Sequence, residues 1–587
     1  YTVFKFFKYF FPLKMMRNMR RGVPNLLKTG SQHLSGIEEA VLRNLEACKM
    51  LSELLRTSLG PQGMNKMIIN HMSKLFVTSD TSTILKEVEV EHAAAKILVM
   101  AAQMQEQEMG DGSNFVCMVG GELLNLACDL IYQGLHPQDI ITGYNMAAQK
   151  AMEISKSFVV HGLDTPELLD VEKMAMGIKS SIATKQYGFE DILSKLVAEA
   201  SIAVMPKNTY NFAVDNVRVV KVLGGSIQQS HVVRGMVFQQ TPISQQPHLC
   251  NITDAKIAIF TCPIDATDTE TKGSALLSNA QELMEFNQDE EKQIEKYILD
   301  IKSSGVNVVI TGGTVSDLAA HYLEKHNIAC LRVQSRFELR RLCRATGARP
   351  LVSLGSIPAE YQGHCSKVYV KEIGLDLFTF FEHNEGNECN VATIILRAAT
   401  HNTLNDVERA IDDGVNSVRA IAKERRAVFL PGAGAYEVAV AHALQQYART
   451  EVTGIQQYAI ERFAEALLIL PRTLAENAGY DAVNVVANLL EAHQKDNNTD
   501  SLPIGIDIEA TGDRVQRPFY NVTEKQIFDL YPVKMNAFRL LMDAVTTVLR
   551  IDQIVTCKKA GGPQLGAHKK LGHNQGAEGW DDNDENF

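Results

Sequence analysis

The sequence predicts a multidomain α and α/β protein, with a mostly helical domain shared by the two ends of the chain and an α/β domain inserted in the middle. Three observations predict it. At 587 residues the chain is too long for one hydrophobic core. Apolar residues recur at helical spacing, in Ala-, Leu- and Met-rich runs, over 90–149 and again over 437–490. Between these runs, short strand-like stretches alternate with helical ones, as in α/β units. A composition that departs and then returns implies a nested chain.

Composition narrows the class. With 45% apolar and 22% charged residues, and no apolar run approaching the ~18 residues a membrane span requires, a soluble globular protein is expected. A net charge of −11 disfavours nucleic acid as a partner. Ten cysteines without a Cys-x-x-Cys pair read as reduced, intracellular thiols. His364-Cys365, and His248 with Cys250, lack the paired spacing of a zinc site.

Residues 1–21 are basic, rich in Phe and free of acid. An organelle-targeting segment is one reading, but the stretch is poor in Ser, and Met15, Met16 and Met19 follow a non-Met first residue, so a non-native extension over 1–25 is favoured. The first 28 residues hold seven basic and no acidic residues, so the rest of the chain carries −11 − 7 = −18.

Taken in order, Ser35-Gly-Ile-Glu38 is a capping box opening a helix with Val41, Leu45, Cys48, Leu51 and Leu55 on one face, running toward Gly60-Pro61. Leu75-Phe76-Val77 reads as a short strand ending in a turn that exposes Asp80. Helical patterns cover 90–109, 114–149, 167–176 and 191–202, and 179–185 reads as a turn. Strands are predicted over 217–223, 256–262, 306–310, 328–333, 367–370, 378–382 and 391–396. Residues 276–303 suit a projecting polar helix, and 405–422 a charged one. The tail from 560 lacks apolar periodicity and is expected to be disordered.

Two glycine-rich stretches carry the chemistry. Thr57 to Lys66 contains Gly60-Pro61-Gln-Gly63, and Gly110-Asp111-Gly112-Ser113-Asn114 opens the helix that begins Phe115-Val116. Free N–H groups at a helix start cradle phosphate. A carboxylate in the same turn repels phosphate unless a divalent cation lies between them, so the pattern reads as a magnesium-nucleotide site. Gly432-x-Gly434 could instead be a dinucleotide turn, but Glu437 occupies the place of the third glycine.

Leu59-Gly-Pro-x-Gly-Met-x-Lys66, Val77-Thr-x-Asp80, Thr83-Ile-Leu85, Gly110-Asp-Gly112, Glu408-Arg409 to Asp413 and Gly432 to Ala435 together resemble the group II chaperonins, in the right order over about 26–563. The resemblance implies a group II chaperonin fold. It assigns 26–160 and 431–562 to an equatorial ATP-binding domain, 161–229 and 391–430 to an intermediate domain, and 230–390 to an apical substrate-binding domain with a helical protrusion; 563–587 would be a tail. It implies a cytoplasmic ATP hydrolase subunit in a double ring of paralogous subunits. That ring would help fold non-native proteins, cytoskeletal actin and tubulin among them, with ATP and Mg²⁺ as cofactors and no nucleic acid or membrane partner. Its alternative is a nucleotide-binding subunit with little turnover, serving architecture and substrate contact.

Residue by residue, the resemblance gives Leu59, Gly60, Asp111, Gly112, Ser113, Asn114 and Phe115 to the phosphates, with Asp111 ligating Mg²⁺. Asp80 and Asp413 would orient or activate the attacking water. Thr184 and Lys185 would sense phosphate, Gly432, Ala433 and Gly434 would approach the nucleotide, and Asp507 would lie beside the ribose. Thr81, Ser113, Asn114 and Ala433 depart from the family pattern. A methyl at 433 would weaken binding or force a positive φ, at roughly 1 kcal/mol or more.

Overall fold

Apolar stripes at helical spacing dictate most of this structure, a computed structural model that describes residues 32–35, 40–70, 72–164, 169–243, 249–265, 280–383, 390–424, 426–495, 503–510 and 517–556. The extension at 1–25, the tail at 563–587 and the first residues of the projecting segment, 276–279, lie outside them. Two units are each compact in themselves: 42–550, and one made of both chain ends. In the latter, β1 (Gln32–Ser35) pairs antiparallel with Gln553–Thr556. Ser35, expected as a helix cap, is therefore in a strand, opposite Gln553, and Gly36 to Glu38 fall outside the described residues.

In the larger unit, α1 (Leu42–Arg56) buries Leu45, Cys48, Leu51 and Leu55, and ends short of Gly60. A hairpin follows, β2 (Lys66–Ile69) against β3 (Leu75–Thr78), in a sheet of its own. Then come α2 (Thr81–Glu87), α3 (Ala93–Met109), α4 (Ser113–Tyr132) and α5 (Pro137–Ser155). The stretch read as one helical pattern over 114–149 is two helices. Gly134 takes φ 97° after the first, and Pro137 opens the second, where its missing N–H costs nothing.

The middle begins with β4 (His161–Asp164), α6 (Val171–Ala183) and α7 (Glu190–Val204). The turn expected at 179–185 is mostly the last helical part of α6. Its Ser and Thr hydroxyls favour turns only where they take up backbone groups. An eight-stranded sheet is then built from β5 (Val217–Leu223), β6 (His231–Phe238), β7 (Asn251–Phe260), β8 (Val308–Thr311), β9 (Ala329–Arg332), β10 (Gly363–Ile373), β11 (Asp376–Glu382) and β12 (Ala392–Ala398). Its order is β5-β12-β6-β11-β10-β7-β8-β9, parallel at both edges and antiparallel between. β6 was not anticipated, because Arg234-Gly235 interrupts its apolar run. The interruption is structural: a Cβ on Gly235, at φ 137°, would fall 1.8 Å from the Phe381 carbonyl oxygen. Three helices accompany these strands, α8 (Ala280–Ser303), α9 (Asp317–Lys325) and α10 (Arg336–Thr346). Far from projecting along its whole length, α8 buries Ile294, Ile298 and Ile301 in a core with Ala258, Phe260 and Val309.

The chain returns through α11 (His401–Glu424) and β13 (Arg426–Pro431) to α12 (Ala435–Thr450), α13 (Gln456–Leu467), α14 (Ile469–Asn477) and α15 (Ala482–Lys495). It continues as β14 (Ile504–Ile506), β15 (Phe519–Asn521), the single turn α16 (Val522–Lys525), β16 (Phe528–Leu530) and α17 (Tyr531–Leu549), and β17 is the Gln553–Thr556 strand. β13 pairs with both β16 and β4, drawing three distant segments into one sheet. Late helices pack on early ones: α17 lies on α3, α4 and α5, and α13 on α4 and α5. Phe115 meets Phe538 edge-on at 5.4 Å and Tyr144 meets Phe463 at 5.8 Å. Each such buried ring adds ~1.5–3 kcal/mol from the removal of apolar surface from water. The expectation of no long apolar run needs correction, for α4 is long and apolar enough to cross a bilayer; 72% of that stretch is buried inside the protein.

Candidate functional site

A cleft of about 420 Å³, the size of a small-ligand pocket, collects the glycine-rich stretches and the separated carboxylates. One wall is the start of α4. Gly110 and Gly112 take φ 77° and 83°, so the chain turns sharply between α3 and α4 around Asp111. Gly112 caps α4 without a side chain, which leaves the first N–H groups, of Ser113 and Asn114, free for a ligand. Asp111 Oδ1 accepts the Gly112 N–H at 2.6 Å. Its backbone carbonyl accepts from Gln105 Nε2 at 2.8 Å, and Gln105 Oε1 in turn accepts from Asn536 at 3.0 Å. Buried amides from α3 and α17 thus hold the turn.

Opposite lie the charged groups. Asp80, expected to be exposed, is buried as the cap of α2, because a side chain that accepts the Ser82 and Thr83 N–H groups at 3.3 and 3.1 Å turns inward with the helix start. The Thr83 hydroxyl adds a bond at 2.6 Å. Lys185 Nζ is 3.1 Å from Asp80 and also bridges to Asp413 Oδ2. Burial opposes ionisation of Asp80, but the Lys185 ammonium and the Thr83 donors outweigh it and hold the carboxyl well below the usual range. Asp413 behaves oppositely. Burial pushes it well up; the Lys185 ammonium opposes this, while the fields of Glu106, Asp80 and Asp111 reinforce it. Lys185 is raised, because Asp413 and Asp80 outweigh its own burial. The two carboxylates that flank Lys185 are thus shifted in opposite directions, Asp80 down by its donors and Asp413 up by burial.

Leu59, Gly60, Phe115, Thr184, Gly434 and Asp507 line the same cleft. Gly60 takes φ 80° where a Cβ would meet Leu474. The Thr184 hydroxyl is spent on the Ser181 carbonyl at 2.7 Å. Asp507 Oδ1 accepts the Glu509 N–H at 3.0 Å. Ala433 also lines the cleft and sits at φ 53°, a left-handed angle that glycine would adopt without strain. Its methyl has room because residue 505 is glycine, whose own Cβ would come within 2.9 Å of it. Gly432 stands apart, under Ile527, whose carbonyl accepts its N–H at 3.1 Å. Thr81 is buried in the first turn of α2 without backbone strain.

Several residues escaped the sequence reading. Lys534 Nζ lies 2.6 Å from Glu437, 3.1 Å from Asp529 and 4.7 Å from the Phe115 ring centre, a buried ionic group behind the α4 start. Burial would lower its ammonium, but Asp529 and Glu437 raise it. Glu437, noted only as the residue that spoils a third glycine, thus has a structural reason to be there. Glu106 is pushed up to about 7, chiefly by burial. The buried Ser181 and Ser417 hydroxyls and Asn114 Oδ1 face the cleft without hydrogen-bond partners among the described residues. A cradle of free N–H groups, orphaned polar atoms and a hard carboxylate donor at Asp111 fits a phosphate-bound Mg²⁺.

A model of the TCP-1/cpn60 chaperonin family matches residues 51–559. The chain belongs to that family. Its architecture is the multidomain α and α/β fold of the group II chaperonins. Similar chaperonins include T-complex protein 1 subunit theta of Dictyostelium discoideum, 45% identical over 543 residues that cover 92% of this chain and 98% of the relative. The human protein of that name is 44% identical over 549 residues (94% and 97% of the two chains), and the Arabidopsis thaliana one 42% over 551 (again 94% and 97%). Both chaperonin glycine turns and every carboxylate described above fall inside the matched span.

Proposed function

We propose that this chaperonin subunit binds Mg-ATP in the cleft and hydrolyses it, as one member of a cytosolic hetero-oligomeric double ring that encloses non-native proteins. The observation that carries the reading is the convergence of Asp80, Asp413 and Lys185 opposite the uncapped start of α4. Bound Mg²⁺ would neutralise phosphate oxygens, with Asp111 as its protein ligand. The α4 N–H groups hold the phosphates, and Lys185 balances negative charge beside them. Asp80, held ionised by Lys185 and by the Ser82 and Thr83 donors, contributes a fixed negative charge beside the attacking water rather than deprotonating it. Asp413 takes the water's proton, the role suited to the carboxylate of raised affinity. The far end, with Asp507, receives the ribose.

In this reading 26–160 and 431–562 form the nucleotide domain, 161–229 and 391–430 the intermediate one, and 230–390 the substrate-binding domain. The β2–β3 hairpin supports assembly. Met67 and Ile69 are 69% and 68% exposed on a two-stranded ribbon whose outer edges have no strand partner among the described residues, a surface suited to a neighbouring subunit. The low-turnover alternative draws on Thr81 and Ala433, yet one is unstrained and the other's methyl is housed by Gly505.

Two substitutions test the chemistry. Asp413→Ala should leave Mg-ATP bound and slow hydrolysis by roughly 10²- to 10⁴-fold. Asp111→Ala should weaken Mg-ATP binding itself. Equal hydrolysis by wild-type and Asp413→Ala assemblies, at equal occupancy of this subunit, would make the subunit architectural.

A further inference from the structure

The last four carbonyls of an α-helix have no N–H ahead of them to accept from. At the end of α3, the Gly110 N–H takes the Glu106 carbonyl at 2.9 Å. The next two carbonyls are satisfied from another helix: Arg419 Nη2, on α11, donates to Gln107 O at 3.1 Å and to Glu108 O at 2.9 Å. A guanidinium suits the spot, since a helix C-terminus carries partial negative charge. A second contact lies beside it. A Cβ on Gly110 would fall 2.2 Å from Asn416 Cβ, so α11 rests directly on the turn that leads to Asp111. Asp413, Asn416 and Arg419 follow one another at intervals of three along α11, which places them on one side of the helix.

We infer that Arg419 is a positioning residue for hydrolysis: it clasps α11 to the end of α3 and so sets how far the Asp413 carboxylate reaches toward the Asp111 turn. The inference rests on the reading of Asp413 as the proton acceptor. Because the Arg419 hydrogen bonds among the described residues go to carbonyls of α3, its loss should spare the phosphate cradle and slow the step that needs Asp413. Arg419→Lys keeps a donor and a charge at the helix end and should recover part of the effect.

The test uses the full-length chain in the assembly it forms, with Arg419→Ala, Arg419→Lys, Asp413→Ala and the Arg419→Ala/Asp413→Ala pair. Mg-ATP affinity, single-turnover hydrolysis and amide hydrogen exchange over 106–112 and 410–420 are measured. Arg419→Ala should slow the single turnover about ten- to hundredfold with affinity within about twofold, and should slow Asp413→Ala little further. Exchange in both segments should accelerate about tenfold without a change in global unfolding. A wild-type rate, a fall in affinity that matches the fall in rate, or a full multiplicative effect on top of Asp413→Ala would overturn the inference. If Asp413→Ala itself turns over normally, the proton-acceptor reading fails and exchange alone judges the clasp: faster exchange in both segments upholds it, and unchanged protection overturns it.

Discussion

Glu106 shows how the cleft stores charge. Burial, reinforced by the neighbouring Asp80 and Asp111 carboxylates, pushes it up to about 7 from a model-compound value of 4.5, with Lys185 opposing. A group whose pKa rises on folding binds more protons in the native state between those two values. Its contribution is therefore full at acid pH and lost as pH rises from about 4.5 through 7. Glu106→Gln removes the loss: melting temperatures of variant and wild type should converge near pH 4.5, and above pH 7 the variant should melt higher. A constant offset across pH would refute this. The turn over 110–114 with Asp111 was legible from a local motif, whereas Asp80, Asp413 and Asp507 rested on the family resemblance, because nothing in their immediate sequence marks them. Lys534, Gln105 and Asn536 were not legible, since the Lys534–Glu437 and Gln105–Asn536 pairs join segments more than 90 residues apart and no spacing announces them.

At the scale of elements, close packing decides what a helix tolerates. α4 crosses α1 so closely that a Cβ on Gly121 would sit 2.2 Å from Ser52 Cβ. Gly121→Ala gains ~1 kcal/mol of helix propensity. Overpacking should outweigh that gain, for a net loss of about 1–2 kcal/mol in chemical unfolding. An unchanged or raised midpoint would show that α1 moves aside. Elements with one clean period were readable: the strand predicted over 217–223 is β5 to the residue, and the helices of 90–109 and 191–202 are displaced by only a few residues. What failed were elements whose composition answers to a tertiary demand. β6 carries a glycine because a neighbouring carbonyl leaves no space for a side chain. The serines of α6 face a cleft, so Ser180 and Ser181 look like turn residues to a local reading.

For the whole molecule, the nested composition was the legible feature, because helices from both ends share one apolar interior and must be rich in the same residues. The hairpin offers the test of assembly. Met67→Glu with Ile69→Glu changes two outward side chains and should leave the fold and its melting temperature intact, since exposed positions shift stability by only ~0.5 kcal/mol. Light scattering after size separation should then find smaller species than the wild-type assembly; an assembly of unchanged mass would remove the hairpin from the interface. The placement of α4 has a consequence for how the protein is made. This membrane-like helix is covered by α17, which leaves the ribosome about 400 residues later, roughly 20 to 80 s at ordinary rates of synthesis. For that interval the nascent chain carries a bilayer-compatible segment with part of its cover, α13 and α17, not yet fully translated. A subunit of a folding machine would itself need shelter while it is born.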